Sequence, residues 1–393
     1  MKERIRILLT AATGLLVFPA AAAAQDEQWL QYHCRREAQT IITHMATKTP
    51  QVTEAKPQDV ELPEFKASRQ FFAQWSTPMV PSGRLWIALD QTKEQGRWDR
   101  LFTDSNGNDR LDDETAVTAY RIEQYYTYFG PLKVVFESED GPIVYHLNIR
   151  FYSSGENPRL YVRSGCWYEG DITVAGKDKH CLLVDHNANG TFNDKALGSR
   201  NSNRIRIGDK NSKDAGCVGN YIDIDGVLYE PEIARDGAYV KLTKAENVEF
   251  GDILLPESIS QFAAGGENGL FILNKLEKGA GSLPVGKYRI RDWITERKDE
   301  QGRLWKLKGT GFTVTSAFDI NSAKQTQLSI GEPIISTMSA RKRDDTYSFS
   351  QDLKGRFDES IELTRNGAQP QAPKVRIRNT DGTYDRTYSF SYG

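Results

Sequence analysis

The chain has 393 residues, a formal net charge of −2 and 26% charged residues of mixed sign. That balance gives nucleic acid or an anionic membrane nothing to be drawn to, so neither is expected as a partner. The length exceeds one ordinary domain and predicts two or three. Aromatic content of 10%, with few Ala-, Leu- and Glu-rich blocks, favours β structure.

Residues 1–24 read as a secretory signal peptide. Lys2, Glu3, Arg4 and Arg6 make a charged, net-positive start, and an apolar run from Ile7 to Ala24 follows. The small residues Ala20 to Ala24 suit signal peptidase, and Gln25, Asp26 and Glu27 switch the chain to polar. An uncleaved anchor is the alternative, but the run is short for a span of about 20 residues. No later segment resembles a span, so no integral membrane segment is expected after cleavage. The expected location is secreted or periplasmic.

Four cysteines follow: Cys34, Cys166, Cys181 and Cys217. An even number in an exported chain predicts two disulfides, with three connectivities open. A hairpin around Gly176 and Lys177 places Cys166 far along its strand from Cys181, which counts against that pair. CxxC spacing is absent, so the cysteines read as structural.

Residues 25–69 read as a short N-terminal helix and an extended linker. Leu30, Cys34, Ala38, Ile41 and Met45 recur at three- and four-residue spacing, opposite Arg35, Arg36 and Glu37. A polar, Pro-containing stretch from Thr49 to Pro63 follows as linker or wrap.

Over 70–255 the period changes to two and predicts a β domain. Ile143, Tyr145, Leu147, Ile149 and Phe151 alternate with His146, Asn148 and Arg150, a half-buried strand. Turn residues separate further strands, as at Asp225-Gly226. Residues 256–393 predict a β-sandwich region of one or two units, with hairpin turns at Asn366-Gly367 and Asp381-Gly382. Alternation at Tyr388, Phe390 and Tyr392 predicts a final strand reaching Gly393. Ser282 to Ile290 carries an LPxGxY stretch and resembles prealbumin-like and immunoglobulin-like sandwiches of exported bacterial proteins. The expected fold is mostly β, with two or three β-sandwich-like domains.

Two acidic loops share one spacing. The first carries Asp104, Asn106, Asn108 and Asp112; the second carries Asp185, Asn187, Asn189 and Asn193. Both read D-x-N-x-N-x-x-x-[DN], placing oxygen donors at positions 1, 3, 5 and 9. Calcium takes several oxygen ligands at about 2.3–2.6 Å, and short side chains at alternating loop positions converge on one ion. A carbonyl at position 7, Arg110 or Thr191, and an apolar anchor at position 8, Leu111 or Phe192, complete the pattern. Ordinary turn chemistry, with Asp and Asn bonding their own backbone, is the competing reading. The first loop has more carboxylate, with Asp113 and Glu114 in reserve, and is expected to bind more strongly.

The loops resemble the DxDxDG calcium loops of EF-hands, dockerins and integrin-type repeats. They depart from the EF-hand in having Thr115 or Ala196 at position 12 and, in the first loop, Asp109 rather than Gly at position 6. The stretch from Tyr168 to Asp194 resembles a pattern of secreted, β-rich bacterial proteins whose activity is uncharacterised. The resemblance implies calcium with a structural role.

No HExxH, GxSxG or GxxxxGK[ST] motif occurs. His180 and His186 flank the second loop and read as loop-edge histidines or as donors to a transition metal. Asp223 and Asp225 read as a turn. Trp75, Trp86, Trp98, Trp167, Trp293 and Trp305 read as core residues before sugar platforms. The leading expectation is a calcium-stabilised exported protein that binds an extracellular glycan or protein or serves envelope structure. The alternative is a secreted hydrolase of glycan or peptide with a dispersed catalytic site; whether the chain is an enzyme stays open.

Overall fold

The computed structural model describes residues 27–154, 157–274, 276–312 and 316–392. The signal peptide expected at 1–24 lies outside them, as do Gly393 and part of the Ser154–Asn157 turn. The described residues form antiparallel sheets, one short parallel pair excepted, and contain no α-helix. No helix among them is long and apolar enough to cross a membrane.

The chain up to about residue 245 builds four sheets around one core. Two are meanders of consecutive strands: Phe71–Ser76 to Val117–Thr118, and Arg121–Ile122 to Arg159–Ser164. A third, five-stranded sheet runs Gly216–Cys217, Arg204–Gly208, Lys177–Val184, Cys166–Val174 and Gln31–Cys34. In the fourth, Gln28–Trp29 pairs with Tyr239–Lys244, beside Val227–Ile233 and Ile222–Ile224. Period-two alternation turns one face of each sheet inward. Tyr145, Leu147, Ile149 and Phe151 are buried on one strand, where Trp75 stacks on Tyr145 at 5.7 Å. Trp75, Trp98, Trp167 and Trp293 are buried, as packing requires of large rings in a β core.

The second core starts at Ile253 and gathers Phe262, Leu283, Tyr288, Trp293 and Ile361. Its main sheet centres on Gly286–Lys298, flanked by Ile259–Gly266 and Leu304–Thr310. The hairpin of Ile335–Arg343 and Thr346–Lys354 extends this sheet, and its first strand is exposed throughout. Lys374–Arg378 and Asp385–Ser389 form a separate two-stranded hairpin. The two cores meet where Asn220 bonds Glu267 and Asn268, and where Gly219 lies against the backbone of Gly269.

The N-terminal helix is not formed. Residues 28–34 make two short strands, followed by a single 3-10 turn at Ala38–Thr40. The apolar residues that suggested one helical face are divided between the two sides of a sheet. Leu30 enters the main core, while Ala38 and Ile42 pack with Trp167, Leu182 and Val184 on the opposite side. Backbone pairing of Gln31–Cys34 with the Cys166–Val174 edge outweighs the helical period. Beyond it, Lys48 pairs with Val162, Thr53 with Phe72 and Glu61 with Arg110, so the polar stretch wraps along the first unit.

The two disulfides expected from the cysteine count are not formed. Cys34, Cys166, Cys181 and Cys217 are free thiols. Cys181 faces Gly170 and Ile207 across its strands, and Cys217 faces Arg204. Cys34 and Cys166 are register partners, yet the Cys166 thiol lies 3.7 Å from the His146 carbonyl and 3.7 Å from the Ser164 hydroxyl. Burial pushes the Cys166 and Cys181 thiols up to about 12.

Candidate metal loops

The acidic loops are two copies of one backbone arrangement. Position 4 has positive φ in both, Gly107 at 75° and Ala188 at 51°. Position 6 does too, Asp109 at 58° and Gly190 at 95°. Gly190 is also crowded, since an added Cβ would lie 3.0 Å from Met79 and 3.1 Å from Thr77. In each loop the first Asp is buried and the apolar residue at position 8, Leu111 or Phe192, is sunk in a core. Both loops follow a strand that delivers the first Asp into the interior.

Their hydrogen bonds match as well. The position 6 amide donates to the first carboxylate, Asp109 N to Asp104 Oδ2 at 3.1 Å and Gly190 N to Asp185 Oδ2 at 2.7 Å. The position 7 amide donates to the position 5 oxygen, Arg110 N to Asn108 at 2.9 Å and Thr191 N to Asn189 at 3.0 Å. The position 5 side-chain amide donates to the carboxylate at position 10, Asn108 to Asp113 at 2.8 Å and Asn189 to Asp194 at 2.9 Å.

Position 10 therefore turns inward where the spacing pointed to position 9. Asp112 pairs with Arg110 at 2.6 Å, and Asn193 is exposed. Adjacent residues after a tight turn point to different sides, and the motif alone does not say which one closes the loop. A signal existed, because both loops carry Asp at position 10.

The loops differ in what they leave unsatisfied. In the first, Asp104 receives amides from Gly107, Asn108 and Asp109, while Asn106 and Asn108 are exposed; Glu114 is tied to Ser105. That is turn chemistry nearly complete, with the buried Asp109 Oδ1 the oxygen left over. In the second, Asp185 Oδ2 accepts from the Tyr145 hydroxyl at 2.7 Å and from Gly190 N. Asp185 Oδ1 and Asn187 Oδ1 are buried without a partner. Such oxygens are costly in a protein interior. Burial pushes Asp185 up to about 7. Asp194 accepts from Asn187, Asn189, Thr191 and Asn203.

No three His, Cys, Asp or Glu side chains gather as a metal-holding group among the described residues. What the second loop offers a cation is two carboxylates supplemented by amide, hydroxyl and carbonyl oxygens, a donor set that suits calcium rather than zinc. Neither flanking histidine joins it. His186 is buried, accepts a bond from Ala46 N at 3.3 Å, and is pushed down to about 3 by burial and by Arg204 and His44. His180 lies on the outer sheet face between Glu169 and Asp171, 3.3 Å from each. Asp223 closes a turn onto Gly226, and Asp225 pairs with Lys179 at 2.8 Å.

A cleft of about 450 Å³ lies beside the second core between Pro256, Lys278, Ile330 and Arg356. Its Glu332 is paired with Arg297 at 2.6 Å. No protein-family model, curated protein or solved structure matches this chain.

Proposed function

We propose that the chain is an exported β protein, stabilised by calcium at the Asp185 loop, whose role is binding or envelope structure. The observation that carries the calcium reading is the pair of buried, unpartnered oxygens on Asp185 and Asn187. A divalent cation there would neutralise a buried carboxylate and take up both oxygens at once. The shared backbone of the Asp104 loop makes it a second, weaker candidate, because its first carboxylate already has three amide donors. Export rests on the pattern of residues 1–24. Calcium acts structurally in this reading, since the loop is tied to the core through Tyr145 and Phe192. Extracellular sites of this kind bind at about 10⁻⁴–10⁻³ M.

The test is a melt of the chain lacking residues 1–24, with 10 mM calcium and with chelator. Calcium is expected to raise stability by about 1.5–2.5 kcal/mol through mass action. Asp185→Ala should abolish the calcium-dependent part, and Asp104→Ala should reduce it less. Coincident wild-type curves would sink the calcium reading.

A further inference from the structure

The hairpin at the end of the second unit's main sheet leaves one long edge unpaired. Ile335–Arg343 pairs with Thr346–Lys354 on one side, and among the described residues no strand lies on the other. All nine residues of Ile335–Arg343 are exposed, Met338 at 60% and Ile335 at 50%. At about 3.4 Å per residue the edge is roughly 30 Å long. Its partner strand joins the sheet at the base, where Lys354 faces Ser360, and the rest of the hairpin stands largely in solvent.

Which backbone groups are free follows from the turn. Arg343 and Thr346 flank the two-residue loop Asp344-Asp345, and the pair beside such a loop is hydrogen-bonded. Bonded pairs then alternate along the ladder, and Ser336, Met338, Ala340 and Lys342 turn their N–H and C=O away from the partner strand. Side chains alternate as well. Met338, Ala340 and Lys342 share a face with Tyr347 and Phe349, whose rings stack at 6.5 Å. Thr337, Ser339 and Arg341 share the other, where the Ser339 hydroxyl meets that of Ser350 at 2.8 Å. Charged side chains along an exposed edge blunt it against further pairing. Here the cations Arg341, Lys342 and Arg343 are confined to one end, and Ile335 to Ala340 carry no charge.

We propose that this edge pairs antiparallel with the same strand of a second copy, about a two-fold axis at Ser339. In that register Ser336 faces Lys342 of the second copy and Met338 faces its Ala340, so every outward N–H and C=O finds a partner. The three cations of each strand meet Ile335, Ser336 and Thr337, which are uncharged; parallel pairing in register would set cation on cation. The faces agree too. Met338 meets Ala340 on the side of Tyr347 and Phe349, and Ser339 meets its own copy on the polar side. A foreign strand would have to match this pattern on both faces, whereas a second copy is matched by its own sequence. The inference goes beyond the function proposed above and depends on neither calcium nor any ligand.

The experiment is analytical ultracentrifugation of the chain lacking residues 1–24. A dimer is expected at about 100 μM, where an interface of micromolar affinity is mostly occupied. Ser339 faces itself across the axis, so Ser339→Lys and Ser339→Asp should each weaken dimerisation by about tenfold or more. Mixing the two variants should restore it, because lysine then faces aspartate, and restoration also shows that both variants fold. Ser339 is exposed, and circular dichroism of each variant checks its strand content. Met338→Pro, which removes an outward N–H and leaves the hairpin's own ladder in place, is a second way to break the pairing. Lys374→Gln, on the separate hairpin, should leave dimerisation unchanged. A wild-type monomer at that concentration, a dimer untouched by these edge variants, growth past the dimer, or a mixture of folded variants no tighter than either alone would each overturn the proposal.

Discussion

The carboxylate of Asp194 accepts hydrogen bonds from the side chains of Asn187, Asn189, Thr191 and Asn203, whereas Asn193, its neighbour, faces water. Asp194→Ala is therefore expected to cost about 2–4 kcal/mol, because it strands several buried donors at once. Asn193→Ala should stay within about 0.5 kcal/mol, as surface substitutions usually do. Urea denaturation of the two variants in chelator measures this directly, and equal losses would contradict the assignment. The loops themselves were legible in the residues: the first Asp, the alternating Asn and the buried anchors Leu111 and Phe192 stand where the spacing placed them. The closing carboxylate was not, because its direction depends on the backbone turn that precedes it. The ranking proposed for the loops was not legible either. It rests on burial of the second loop, which composition does not reveal.

At the scale of elements, alternation identified strands such as Ile143–Tyr152 wherever one face is wet and the other dry. It misled at Leu30–Met45, where a three- and four-residue spacing arises from a strand, a turn and a coil serving different surfaces. The segment that replaced the helix is fastened by Tyr32, whose hydroxyl meets His146 Nδ1 at 2.5 Å. Burial, with Lys133 nearby, holds the His146 pKa below its usual value. The imidazole is thus neutral in the folded chain at pH values where the unfolded chain begins to protonate. Its contribution to stability is full above about pH 6.5 and is lost progressively as pH falls from there towards the folded pKa. Replacing His146 by Gln should flatten this part of the pH profile. Urea midpoints between pH 7.5 and 5 compare the two proteins; parallel slopes would remove His146 from the account.

For the whole molecule, length predicts two or three domains, and the described residues hold two large hydrophobic clusters. The closest approach at their junction was invisible in the sequence because it is backbone on backbone. Gly219 lies so near Gly269 that an added Cβ would stand 2.1 Å from the Gly269 amide nitrogen. Gly219→Ala is expected to cost about 2 kcal/mol or more, since main chain, unlike a flexible side chain, cannot step aside. Thermal unfolding should then show the two units parting, with a transition broader than that of wild type; an unchanged melt would mean the junction is loose.

The strands Gln28–Trp29 and Gln31–Cys34 complete sheets whose other members lie far along the chain, Tyr239–Lys244 and Cys166–Val174. At synthesis rates of about 5–20 residues per second, residue 240 emerges roughly 10–40 s after residue 28. For that interval the first strands have no native partner, and the core they close stays open. Slow, non-local closure of this kind sets the pace of folding by topology rather than by local preference. The segment made first is thus among the last to find its place, and a chain stopped short of residue 240 would lack the partner of its own first strand.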